Sequence, residues 1–153
     1  MMISMKTKYA LMALGALARA YGEALLIADL ARTEGIPKKF LEAILLALKN
    51  QGILASRKGP GGGYSLAVSP DALTIGRVVR VFEGDLAPVP CLSDAAPAKC
   101  AECDDMESCG IRLIMDDVKQ AVVSVLDRTT LAEMLERSET ERKKRLKLID
   151  YTI

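Results

Sequence analysis

The chain has 153 residues, half of them apolar and 27% charged, with four cysteines and no histidine. That suits one globular domain with an appended element, able to bury a core without disulfide staples. The missing histidine excludes a Ser-His-Asp triad, a Cys-His pair, a His-held catalytic zinc and an imidazole proton switch. No nucleophile–base pair or nucleotide loop stands in their place, so no enzyme is expected. No apolar run approaches the ~20 residues of a membrane span. The start carries Lys6 and Lys8 but no cleavage signal. The expected setting is cytoplasmic, where cysteines stay reduced.

Charge is unevenly divided beneath a net +1. Residues 1–65 hold nine Lys/Arg and four Asp/Glu, while residues 66–153 hold twelve and sixteen. The acidic extreme is 83–117, with nine acids against Lys99 and Arg112. A basic first half suits a local nucleic-acid surface, although chance charge scatter would look similar.

In chain order, residues 5–21 predict a helix, with Tyr9, Ala10, Ala13, Leu14, Leu17 and Tyr21 at three-to-four spacing. Leu26 to Glu34 predicts a short second helix, stopped by Gly35. Pro37 opens a third that runs to Asn50, with Phe40, Leu41, Ile44, Leu45 and Leu48 of buried type. Two helices joined through a Gly turn, with Ile36 as an apolar plug, form a helix-turn-helix pattern. Ile53–Arg57 and Tyr64–Val68 then predict two strands around the glycine-rich turn Lys58–Gly63. A basic-tipped hairpin in this place reads as a wing, with Arg57 and Lys58 supplying charge. Thr74 caps a helix through about Phe82. Residues 83–108 predict no regular structure. A long helix follows from about Ser108 to Leu126, with an apolar stripe that includes Ile111, Ile114, Met115, Val118, Val122 and Val125. That stripe suits either packing within the chain or a dimer seam. Thr130-Leu131-Ala132-Glu133 is a capping box for a short last helix, followed by a solvated basic tail at Arg142–Arg145.

The fold class expected is therefore mainly α with a small β-hairpin. It comprises a winged helix-turn-helix over 1–82 (wing about 53–68), a cysteine loop over 83–109, and a dimerisation helix with tail over 110–153. All four cysteines, Cys91, Cys100, Cys103 and Cys109, fall in one stretch with spacing C-x8-C-x2-C-x5-C. The acids among them disfavour bare thiolates, and a bound cation reverses that penalty. Four sulfurs without histidine match a Cys-ligated iron–sulfur cluster or structural zinc. Only Cys100 and Cys103 form the CxxC pair typical of zinc. A metal-free thiol switch and four incidental cysteines stay open as readings.

Five stretches in order carry a resemblance. They are Ile3-Ser4-x-Lys6-x-x-Tyr9-Ala10, Gly35-Ile36-Pro37 to Phe40-Leu41-Glu42, Gly59-Pro60-Gly61-Gly62-Gly63-Tyr64, Cys103-x5-Cys109, and Leu126-Asp127-x-Thr129-Thr130-Leu131. Over about 3–135 the chain resembles the Rrf-two family of bacterial winged helix-turn-helix transcription regulators (IscR/NsrR type). The resemblance implies a homodimer on a two-fold DNA operator, mostly repressing. It also implies an iron–sulfur cluster, [2Fe-2S] or [4Fe-4S], on three loop cysteines and a variable fourth ligand, although some members carry none. By position it implies DNA contacts from Lys6, Tyr9, Lys38, Lys39, Glu42, Arg57, Lys58, Gly61, Gly62 and Tyr64. Glu42 would accept from a cytosine amino group, and the lysines would meet phosphates. Lys58 stands where the family often has a minor-groove Arg. The family's usual fourth-ligand positions are here Arg112 and Lys8, which cannot ligate iron. Cys100 is the substitute this chain offers.

Overall fold

The computed structural model describes residues 3–150. The end of the expected tail, 151–153, lies outside the described residues. Three side-chain caps set helix starts that the sequence marks. Ser4 Oγ accepts from the Thr7 amide at 3.2 Å and begins α1 (Met5–Arg19). Thr74 Oγ1 accepts from the Arg77 amide at 3.2 Å and begins α4 (Ile75–Glu83). Thr130 Oγ1 accepts from the Glu133 amide at 3.1 Å ahead of α6 (Leu131–Asp150).

Between α1 and α4 lie α2 (Ile27–Glu34), α3 (Lys38–Asn50) and an antiparallel hairpin, β1 (Leu54–Arg57) with β2 (Gly63–Leu66). Gly35 closes α2 at φ 65°, a left-handed conformation that suits glycine. Ile36 drops into the core beside Leu30 and Leu41. Ala10, Leu14 and Leu17 of α1 meet Leu41, Ile44, Leu45 and Leu48 of α3 in the same cluster, closed by Ile53, Leu54, Leu73, Val78 and Leu131. The chain is mainly helical with one small hairpin, a winged helix-turn-helix with long C-terminal helices.

After α4 the chain is irregular except for a 3-10 turn at Pro90–Leu92, then enters α5 (Gly110–Arg128). Val123 and Leu126 of α5 pack on Ile75, Val79 and Leu86, a second apolar cluster. Arg80 of α4 grips Asp127 of α5 through two bonds, Nη1–Oδ1 at 2.5 Å and Nη2–Oδ2 at 2.9 Å. Gly76 makes room for this grip, since a Cβ there would lie 2.0 Å from Asp127 Oδ1.

Two expectations need correction. The last helix is not short: α6 has 20 residues, and the basic run Arg142–Arg145 is helical. No Gly or Pro interrupts 131–150. Arg137 pairs with Glu133 and Lys144 with Glu141 on its surface, the spacing that supports an exposed helix. Phe40, expected in the core, is half exposed and sits edge-on to Tyr9, with ring centroids 6.5 Å apart.

Candidate nucleic-acid interface and cysteine loop

Helix α3 begins with Lys38 and Lys39, both exposed, and Pro37 before them supplies no side-chain cap. The first amides of the helix thus lack intrahelical partners, and no acid stands in its first turn. Two cations there are the wrong sign for the helix dipole and the right sign for holding a phosphate. Glu42 is exposed one turn on. Phe40 shares this surface and was missed by periodicity, because its spacing matches the buried face. Its signal was the aromatic Tyr9 at the corresponding end of α1.

Lys6 is exposed and Tyr9 half-buried on α1. The start of α1 is fixed to the end of α4 by one carboxylate. Glu83 Oε1 accepts from the Ser4 amide at 2.8 Å and from the buried Thr7 hydroxyl. Those bonds, the Thr7 hydroxyl foremost, hold the Glu83 carboxyl below the usual carboxylate range.

The wing is built on backbone closeness. Gly62 is buried, and a Cβ there would meet the Arg57 carbonyl oxygen at 2.5 Å. Gly63, at φ 127°, would place a Cβ 2.2 Å from the Leu25 carbonyl oxygen. That space is used by a bridge: the Tyr64 amide donates to Leu25 O at 2.9 Å, and the Leu25 amide to Tyr64 O at 2.8 Å. The hairpin is therefore latched to the segment before α2. Arg57, Lys58 and Gly61 stand exposed at its tip, and Tyr64 is half-buried at its base.

The cysteine loop has a part tied to α5, the fixed part, and a part beyond it. The fixed part depends on Lys119 of α5, whose side chain is only 8% exposed. Its ammonium donates to the Leu92 carbonyl at 2.8 Å and to Asp94 Oδ1 at 2.5 Å. Asp85 completes the tie, accepting from the Asp94 amide at 2.7 Å and from the Ala87 amide at 2.9 Å. Hydrogen bonds, that from Ser93 foremost, lower the Asp85 carboxyl from its usual range. Above this tie, Leu86, Pro88, Val118 and Val122 line a cleft of about 400 Å³. Composition and motif reading do not single out Lys119. The available signal was its spacing: 115, 119, 122 and 126 share one helical face. The structure thus splits the apolar stripe of α5 in two. Met115 and Val122 lie half-buried on the inward side, while Ile111, Ile114, Val118 and Val125 are exposed.

Cys91 sits half-buried in the fixed part, within the 3-10 turn. The other three cysteines lie beyond it, in 99–109. Cys100 is exposed, and Cys103 and Cys109 are half-buried. The Cys103 amide donates to the Cys100 carbonyl at 3.2 Å, closing a turn. Burial, then its neighbours Cys100 and Cys109, push the Cys103 thiol up from its ordinary value. Asp105 accepts from the Glu107 and Ser108 amides at 3.1 and 3.0 Å and delivers the chain to Cys109, the residue that caps α5. Among the described residues no group of three or more His, Cys, Asp or Glu side chains is arranged to hold a metal ion. The expected four-cysteine ligand set, Cys91, Cys100, Cys103 and Cys109, is thus not assembled.

A family model described as an iron-dependent transcriptional regulator, Rrf2, matches residues 3–137. The chain belongs to the Rrf2 family. Its relatives in that family include an rrf2-like HTH-type transcriptional regulator of Rhodobacter capsulatus, 43% identical over 138 residues, which cover 88% of this chain and 92% of the relative. Among solved Rrf2-type structures, CymR, described as the global cysteine regulator of Bacillus subtilis, matches with TM-score 0.74 at 30% identity, covering 90% of this chain and 98% of that one. The structure of T. potens IscR matches with TM-score 0.70 at 25% identity, covering 92% and 90%. Rrf2 proteins are transcription regulators, not enzymes. Among the described residues no helix is long and apolar enough to cross a membrane.

Proposed function

We propose that the protein is a homodimeric, DNA-binding repressor whose operator affinity follows the thiol state of its cysteine loop. The observation that carries this reading is the turn that joins Cys100 to Cys103, in the segment that runs into Cys109 at the start of the long helix. Likeness to CymR, described as a cysteine regulator, supports it. In this reading residues 1–82 bind DNA, 83–109 sense, and the segment from 110 dimerises. The exposed face of Ile111, Ile114, Val118 and Val125 joins two copies, with Met115 and Val122 at its inner edge. Two recognition helices then meet half-sites about 34 Å apart on a two-fold operator. Lys38, Lys39 and Lys6 hold phosphates, Tyr9 lies against the backbone, and Glu42 faces a base edge. Phe40 offers an apolar surface to a thymine methyl. Arg57, Lys58 and Gly61 bring the wing to the minor groove, with Gly62 and Tyr64 shaping it.

A second reading replaces the thiol switch by an iron–sulfur cluster. The iron dependence in the family description and the likeness to IscR favour it. It requires the loop to bring its cysteines together around the cluster. The test is anaerobic purification with a visible spectrum and iron, sulfide and zinc analysis. A colourless, metal-free protein whose DNA binding changes on oxidation supports the thiol reading. Stoichiometric iron and sulfide overturns it in favour of the cluster, and stoichiometric zinc in favour of a structural metal.

A further inference from the structure

We infer that the redox chemistry of the loop is carried by one pair, Cys100 and Cys103, which close an intramolecular disulfide when a hydroperoxide reaches Cys100. The inference rests on the thiol reading above and names its reacting atoms. The hydrogen bond from the Cys103 amide to the Cys100 carbonyl, 3.2 Å, makes these residues the ends of a four-residue turn. Such a turn holds its end Cα atoms within ~7 Å, and a disulfide spans ~4.4–6.8 Å. Little backbone movement separates the thiol and disulfide forms.

The other pairings are held back. Cys91 is fixed in the Pro90–Leu92 turn, whose last carbonyl is bound by the buried Lys119 ammonium. Cys109 caps α5, and its carbonyl accepts from the Leu113 amide at 3.1 Å. Drawing Cys109 toward Cys103 would disturb the Asp105 turn, in which the Ser108 amide and hydroxyl both bind the carboxylate. Cys100 alone among the four is exposed, so an incoming oxidant meets it first.

Cys100 Sγ attacks the terminal oxygen of the hydroperoxide, the O–O bond breaks, and the alcohol leaves with the thiol proton. Cys100 is then a sulfenic acid. Cys103 Sγ attacks that sulfur, the S–O bond breaks, and the hydroxyl leaves as water with the Cys103 proton. Two thiols and one hydroperoxide become one disulfide, one alcohol and one water. The product touches α5 through short links. Lys99 Nζ donates to the Asp104 carbonyl at 3.0 Å across the turn, and Asp105 next to it orders the approach to Cys109.

The experiment uses the full chain, reduced anaerobically and treated with one equivalent of cumene hydroperoxide. Free thiols are then blocked with N-ethylmaleimide, and the protein is digested with trypsin and Glu-C without reduction. Cleavage after Lys99, Glu102 and Glu107 puts each cysteine on its own fragment. The expected result is a Cys100 fragment joined to a Cys103 fragment, lighter by two hydrogens than their sum, with Cys91 and Cys109 alkylated. Cys109→Ser should still form this link and Cys100→Ser should not. A Cys103–Cys109 link, a link to Cys91, or a link between chains overturns the inference. Operator affinity on the same samples separates the two layers, and oxidation should change it at least tenfold. An affinity change without the Cys100–Cys103 link overturns the pair and leaves the thiol reading standing. The link with unchanged affinity keeps the pair and overturns the thiol reading.

Discussion

Lys119→Met tests whether one buried cation holds the sensor loop on the long helix. Methionine keeps the length of the apolar stem and removes the ammonium. The Leu92 carbonyl, on a buried residue, loses its 2.8 Å donor. A hydrogen bond from a charged group to such an acceptor is worth about 1.5–3 kcal/mol. The Asp94 side chain is 82% exposed, so its pairing with Lys119 adds only about 0–1 kcal/mol. Relief of the buried charge offsets part of this, and the expected loss is about 2 kcal/mol. With a urea slope of about 1.5 kcal/mol per molar, the unfolding midpoint falls by about 1.3 M. Amide exchange should quicken at Asp94 and Ala98, whose amides bond to Asp85 and to the Pro90 carbonyl. Asp94→Asn is the control and should shift the midpoint by no more than about 0.7 M. An unchanged midpoint in Lys119→Met, or an equal fall in both variants, would show that the ammonium does not hold the loop.

Other expectations follow from the same contacts. Gly63→Ala drives a Cβ into the Leu25 carbonyl and should cost about 3 kcal/mol, read as a lower Tm with loss of DNA binding. Lys58→Ala should leave Tm unchanged, weaken operator binding, and reduce the salt slope by about one unit. Hydrogen bonds from Arg80 hold the Asp127 carboxyl below its usual range, so its stabilisation is present above the ordinary carboxylate pKa of about 4 and is lost as pH falls through the lowered folded value. Urea midpoints measured across that acid range should therefore fall more steeply in the wild type than in Asp127→Asn.

The winged half was legible because its signals are local. Gly35 and Ile36 mark the turn and plug, Ser4 and Thr74 act as caps, and the Gly59–Gly63 run permits close backbone approach in the wing. The cysteine loop was legible as a place but not as a shape. Its geometry depends on pairings that periodicity does not carry, such as Lys119 with Leu92 across 27 positions. The α5 stripe was legible as apolar but not in its division. One helix carries two adjacent apolar faces, one packed on Val79 and Leu86 and one exposed, and spacing alone merges them. The length of α6 was missed because a charged, exposed helix lacks an apolar stripe. Its support comes from ion pairs and from the absence of helix breakers.

The most direct measurement is operator binding by the metal-analysed protein, reduced and then oxidised, on one duplex selected from a random pool. Specific two-fold binding by a dimer is expected, with affinities in the two states at least tenfold apart, about 1.4 kcal/mol. Equal affinity in both states, or no sequence-specific duplex binding in either, contradicts a thiol-controlled regulator.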